Sequence, residues 1–364
     1  MKLKSLLLGS AAVLVAVSGA RAADAIVVEP EPVEYVRVCD AYGAGWFYIP
    51  GTETCLKFDG DVRVQYGFTH YHDKLPDETS QHEWNYRARL NVRANNETEY
   101  GTLASRIRFV AASAEGGHSD ALSSAEGPGS APTVVDWAVI SLAGFRVGYA
   151  DSYWTTAGGY GYYGDTRADG IYDFTESLFF DYTYASNGFT ATIGIRSQMT
   201  SFQPTGSITG TASQPDVYAG ITYSGSGWYL AGIYAYDSSA GNGAYKLRAD
   251  YDFGNGFNVG GWYMADHGNT DYVHGHGWGV TGSMKLMDNL VLNAGYSDFD
   301  AAQSATITDT GRREYTVGLN WTPVPGLRIS RNTTLGLMTT KQSMAQTAVG
   351  STYVSFAPSN LTIG

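Results

Sequence analysis

The chain has 364 residues, of which only 16% are charged, and a formal net charge of −12. So acidic a chain makes a poor partner for nucleic acid, and that class is set aside. The charged fraction lies below the roughly 25% of soluble domains, while Gly (45) and Tyr (27) are abundant and Cys is scarce (2).

Residues 1–22 read as a secretory signal: Lys2 and Lys4, a short apolar run from Leu6 to Val17, and the small-x-small site Ala20-Arg21-Ala22. The run is shorter than the about 20 residues a spanning helix needs. No other long apolar run follows, so no helix is expected to anchor the mature chain. It is expected to begin at Ala23, and loss of Lys2, Lys4 and Arg21 takes the charge from −12 to −15.

Residues 23–55 form an N-terminal extension ahead of the first strand. Glu29-Pro-Glu-Pro-Val-Glu34 is proline-rich and acidic and is expected to be extended. Cys39 and Cys55 flank a Gly- and aromatic-rich stretch. In an oxidising periplasm two such cysteines are expected to pair; the alternative is two separate structural thiols. No His lies near enough to make them a metal site.

From Leu56 the sequence alternates. Leu56, Phe58, Gly60, Val62, Val64 and Tyr66 interleave with Lys57, Asp59, Asp61, Arg63 and Gln65. The cleanest stretch is Trp84 to Asn95. Trp84, Tyr86, Ala88, Leu90, Val92 and Ala94 share one face, and Asn85, Arg87, Arg89, Asn91, Arg93 and Asn95 share the other. Its length matches the roughly 9–11 residues of a transmembrane strand. The apolar face suits lipid and the arginine face a water-filled lumen. Similar alternation recurs around 103–109, 189–196, 245–252, 290–297 and 314–321. Less clean strands lie near 134–142, 145–150, 177–185, 216–223, 228–236, 257–265, 277–285 and 326–330.

Short turns such as Ser186-Asn-Gly188 and Gly254-Asn-Gly256 alternate with long polar stretches near 69–83, 112–133, 151–176, 197–215, 266–276 and 298–312. Short connections at one end and long ones at the other describe an outer-membrane barrel. The expected fold is therefore all-β: a transmembrane antiparallel barrel over residues 56–330, with about fifteen strands by this count. Aromatics near the strand ends, among them Tyr184, Trp228, Tyr251 and Trp321, suit interfacial girdles.

The run from Val33 to Leu56, the start Ala-Asp-Ala-Ile, and Ile140-Ser-Leu-Ala-Gly-Phe-Arg-Val-Gly148 resemble the general porins of alphaproteobacteria. The resemblance covers about residues 1–330. It implies about 16 strands, a homotrimer in outer-membrane lipid and lipopolysaccharide, and passive diffusion of small hydrophilic solutes and ions. It implies no catalysis and no cofactor. It also implies that the stretch 151–176 folds inward as a constriction loop, carrying Asp151, Asp165, Asp169, Asp173 and Glu176. Facing it, Arg63, Arg87, Arg89, Arg93, Arg106 and Arg108 are expected to form a basic wall, giving a transverse field. A channel with a saturable sugar or peptide site is the alternative; mostly charged, Asn, Thr and Gly lumen positions favour the general pore.

Chains of this bacterial group that begin Ala-Asp resemble those joined covalently to peptidoglycan, which makes Ala23 and Asp24 a possible attachment point. Muramidase digestion should then release N-terminal peptides bearing muropeptide; recovery of free Ala23 amines alone would count against it.

Three motifs are weighed and set aside. Gly159-Tyr-Gly-Tyr-Tyr-Gly164 has the dinucleotide spacing but no helical period after it. Asp266, His267, His274 and His276 could be metal ligands, yet all seven histidines fall in expected long loops. A barrel protease or lipase would need a converging Ser, His and acid, and no G-x-S-x-G occurs.

Residues 331–364 depart from the family pattern. Beyond Leu327-Arg-Ile-Ser330 the residues from Arg331 to Gly364 show no period-two order, Val354 and Phe356 suit at most a weak strand, and no terminal Phe closes the chain. A shifted reading frame or relict gene copy is the expectation here, with poor barrel closure as its consequence.

Overall fold

Period-two patterning produces strands whose two faces meet different solvents. The computed structural model describes residues 37–71, 81–112, 133–158, 176–197, 214–267, 275–300, 310–340 and 344–356. By contacts the chain divides into Met1–Arg37 and Val38–Gly364, and the architecture below belongs to the second unit. The signal segment, Ala23 and Asp24 lie outside the described residues.

A two-residue strand, β1 (Phe47–Tyr48), precedes sixteen long ones. These are β2 (Cys55–Tyr71), β3 (Gln81–Thr98), β4 (Gly101–Ala112), β5 (Val134–Leu142), β6 (Phe145–Asp151), β7 (Glu176–Ser186), β8 (Phe189–Arg196) and β9 (Asp216–Gly225). They continue as β10 (Trp228–Asp237), β11 (Asn242–Asp252), β12 (Phe257–Asp266), β13 (His276–Met287), β14 (Leu290–Asp300), β15 (Thr310–Val324), β16 (Leu327–Thr340) and β17 (Met344–Phe356). Each long strand pairs antiparallel with its sequence neighbours, and β17 returns to β2 to close the ring. Every strand therefore has two partners, as a structure without water along its flanks requires.

Burial is inverted relative to a water-soluble protein. Val62, Val64, Trp84, Tyr86 and Leu90 are exposed, whereas Gln65, Asn91 and Arg108 are buried. The same holds around the ring: Ile193, Ile221, Leu247 and Val317 point out, while Thr192, Asp250, Ser297 and Thr316 point in. So continuous an exposed apolar band is the surface of a membrane protein. Tight turns join strands at one end. Ala143-Gly144, Asn187-Gly188 and Ser226-Gly227 each place two successive residues at positive φ, the hairpin geometry that matches strand twist.

At the turn end, β1 pairs with β2 through Phe47–Leu56 and Tyr48–Cys55. Cys39 and Cys55 are joined by a disulfide with a Cα–Cα distance of 6.0 Å. Both are buried with Trp46, and Tyr42 and Tyr48 pack on them. The Tyr42 hydroxyl donates to Glu97, and burial, with that carboxylate, raises the phenol above its ordinary pKa.

Two sequence expectations need correction. The barrel does not end at residue 330: β16 continues to Thr340 and β17 follows, pairing from Leu327–Phe356 to Thr339–Met344. Period-two order persists there, since Ser330 and Asn332 are buried while Arg331, Thr333 and Leu335 are exposed. It was hidden because outward Arg331 and Thr333 are polar. Nor are all the histidines in loops. His70 lies in β2, His82 in β3, and His276 opens β13; the strands simply outrun their apolar pattern at the long-loop end.

Candidate functional site

The arginines gather because three neighbouring strands align their inward faces. Across β2 and β3, Arg63 stands opposite Arg87, Asp61 opposite Arg89, Asp59 opposite Asn91 and Lys57 opposite Arg93. Across β3 and β4, Arg93 stands opposite Arg106 and Asn91 opposite Arg108. Like charges placed directly opposite destabilise a sheet, so acids must intervene. Asp61 meets Arg89 at 2.6 Å and Arg87 at 3.7 Å, and Asp59 meets Arg93 at 2.6 Å. Arg108 meets Asp136 at 2.6 Å and Asp151 at 3.6 Å.

The balancing acids are thus mostly on the wall. Asp59 and Asp61 were readable on the polar face of the first strand; their contacts with the arginines depend on register. Asp136 was missed because β5 shifts register against β4 between Arg108 and Phe109. Of the five loop acids, Asp151 ends β6 and Glu176 opens β7 opposite it. Asp165, Asp169 and Asp173 lie outside the described residues, as does Gly159–Gly164.

A second charged network lines β6 to β9. Arg146 Nε and Nη2 donate to the two carboxylate oxygens of Asp181 at 2.9 and 2.6 Å, and the Tyr218 hydroxyl donates to the same group at 2.8 Å. Asp181 is 1% exposed, and a carboxylate so enclosed requires this pairing. Arg196 and Asp216 face each other at 3.5 Å, and Asp216 also accepts from the Ser238 amide and hydroxyl.

After β6 the chain leaves the wall. Residues Tyr153–Gly158 form a short helix, α1, begun by Thr156 N–H donating to the Ser152 carbonyl at 2.9 Å. Trp154 and Ala157 are buried against Tyr218, Ile233, Ala235, Ala244, Trp262 and Met264. Those six are lumen-side positions of β9 to β12, so α1 lies inside the barrel. The Tyr229 hydroxyl donates to the Ala157 carbonyl, and the fully buried Lys246 lies beneath the Trp154 ring at 5.8 Å. In a ring of sixteen, β11 stands eight strands from β3. The inward segment therefore docks on the wall opposite the arginines.

The histidine group divides. Asp266 ends β12 and accepts the Gly275 amide at 3.1 Å, a bond that closes the strand ends. His267 follows it, and His274 lies outside the described residues.

The Porin subfamily model matches residues 24–360. Porin Omp2b of Brucella neotomae is 38% identical, with 91% of each chain covered. Porin Omp2a of Brucella melitensis biotype 1 is likewise 38% identical over 91% of both chains. Among solved structures, the outer membrane channel DcaP of Acinetobacter baumannii shares the fold with a TM-score of 0.64 at 12% identity, covering 85% of this chain and 99% of that one. A mutant of Rh. blastica porin does so at 0.55 and 16%, covering 83% and 99%. The family match runs through the last two strands, which counts against a shifted reading frame after residue 330. The chain belongs to the porin subfamily and is an outer-membrane β-barrel channel for passive diffusion.

Proposed function

We propose that the chain works as a general diffusion pore whose narrowest passage lies between the β2–β4 arginines and the inward loop. The observation that carries this is the docking of α1 on β9–β12, opposite Arg63, Arg87, Arg89, Arg93, Arg106 and Arg108. Fixed charges beside low-dielectric walls act on passing ions more strongly than the same charges in bulk water. Small hydrophilic solutes would be oriented by such a field, and apolar ones disfavoured.

A homotrimer is part of the proposal. Outward positions on β2 to β4 include the small residues Gly60, Ala88, Ala94 and Ser105, and β16 carries exposed Arg331 and Thr333. The same outward faces also carry Trp84, Tyr86 and Leu90, and β7 and β10 present Phe180, Tyr182, Tyr184, Trp228 and Tyr234. Small and polar residues suit contact between protomers, and aromatics suit lipid.

The test is ion selectivity. Replacing Arg87 and Arg89 together with Gln removes two positive charges and leaves Asp61 without its partners. The reversal potential in a salt gradient is expected to move towards cation preference. An unchanged reversal potential would place these residues away from the conducting path.

A further inference from the structure

Arg106 differs from its neighbours in what it bonds. Arg89, Arg93 and Arg108 each reach a carboxylate at 2.6 Å. Arg106 meets no carboxylate among the described residues. Its Nε and Nη2 both donate to Asn91 Oδ1, at 3.0 and 2.8 Å. The Asn91 amide is oriented for this, because its Nδ2 donates to Asp59 at 2.7 Å. The guanidinium also lies over the Trp137 ring, 4.1 Å from its centroid, and Arg108 lies over the same ring at 4.8 Å.

These contacts fix the guanidinium in plane and in rotation. Its side edge is taken by Asn91 and one face by Trp137. The terminal edge, with one N–H from Nη1 and one from Nη2, is not the edge that Asn91 takes and meets no carboxylate among the described residues, and Arg106 itself is half-buried at an inward position of β4. Two parallel N–H groups on that edge match the two oxygens of a carboxylate. Arg93, opposite in register, adds positive charge while its own carboxylate, Asp59, is already engaged.

We propose that Arg106, held by Asn91 and Trp137, is a binding subsite for the carboxylate of permeating organic anions. It rests on the pore reading above and deepens it by naming a solute class. Each passing carboxylate would pause there by forming a bidentate, charge-assisted pair. A diffuse basic field has no such stop, so the two differ in saturation.

The experiment is single-channel recording of the full-length trimer in potassium chloride, with citrate added to one side. Citrate is expected to block the current in a concentration-dependent, saturating way. R106Q should raise the half-blocking concentration about tenfold or more, the loss expected for paired charge-assisted hydrogen bonds. R106K should weaken the block by less, since it keeps the charge and loses the fork. R89Q should weaken it less than R106Q. Equal weakening by R89Q and R106Q would overturn the subsite in favour of a diffuse field. So would a wild-type channel that conducts potassium chloride and shows no citrate block. A chain that passes no potassium chloride current would overturn the pore reading, and the subsite with it.

Discussion

A chain truncated before Met344 is expected to give no folded barrel in the outer membrane. β17 pairs along its length with β16 and, from Thr347 to Phe356, with β2. Without it, β16 and β2 become open edges whose N–H and C=O groups lipid cannot satisfy. Each group left unpaired in an apolar medium costs on the order of several kcal/mol, and a whole strand's worth exceeds the about 5–15 kcal/mol by which proteins are stable. Heat-modifiable migration on a gel is the readout. The full chain should shift on boiling, and the truncated chain should run unfolded at all temperatures. A heat-modifiable truncated chain would mean that another segment closes the ring.

Trp154→Ala should act on conduction instead. Trp154 is 1% exposed and packs α1 onto Tyr218, Ile233, Trp262 and Met264. Removing a buried Trp side chain costs about 3–5 kcal/mol. No strand pairing passes through α1, so the loss falls on the docking of the inward segment. Single channels of the variant are expected to be larger and noisier, while the protein remains heat-modifiable. Unchanged conductance and noise would mean that the segment does not limit the pore.

Most of the barrel was legible because its physics is simple. Strands such as Trp84–Asn95 and Tyr245–Asp252 separate lipid-facing from lumen-facing residues at period two, and this needs no knowledge of neighbours. The harder strands were irregular for a reason the structure supplies. In β10 and β12 the lumen face carries Ile233, Ala235, Trp262 and Met264. There α1 covers the wall, so apolar residues belong on both faces and alternation blurs. A break of pattern in two nearby strands was thus the available trace of the docked helix α1. In β16 the reverse occurs, and polar Arg331 and Thr333 stand outward.

Among the candidate residues, the faces of the six arginines followed from alternation alone. Their ion partners did not. Asp59 and Asp61 are separated from Arg89 and Arg93 by about thirty residues, and only strand register brings them together. Asp136 depends on a local register shift, which no single-strand pattern encodes. Arg146 with Asp181, and Lys246 beneath Trp154, escaped notice because isolated charges in a strand give no hint of which loop or strand will bury them.

The central claim is an open, water-filled pore, and conductance across a planar bilayer tests it most directly. Full-length protein added to the bilayer should produce steps in groups of three, each ohmic, with current rising in proportion to salt and not saturating with any one neutral sugar. Insertion without ohmic steps, or a current that saturates with a single neutral sugar at low concentration, would contradict a general diffusion pore.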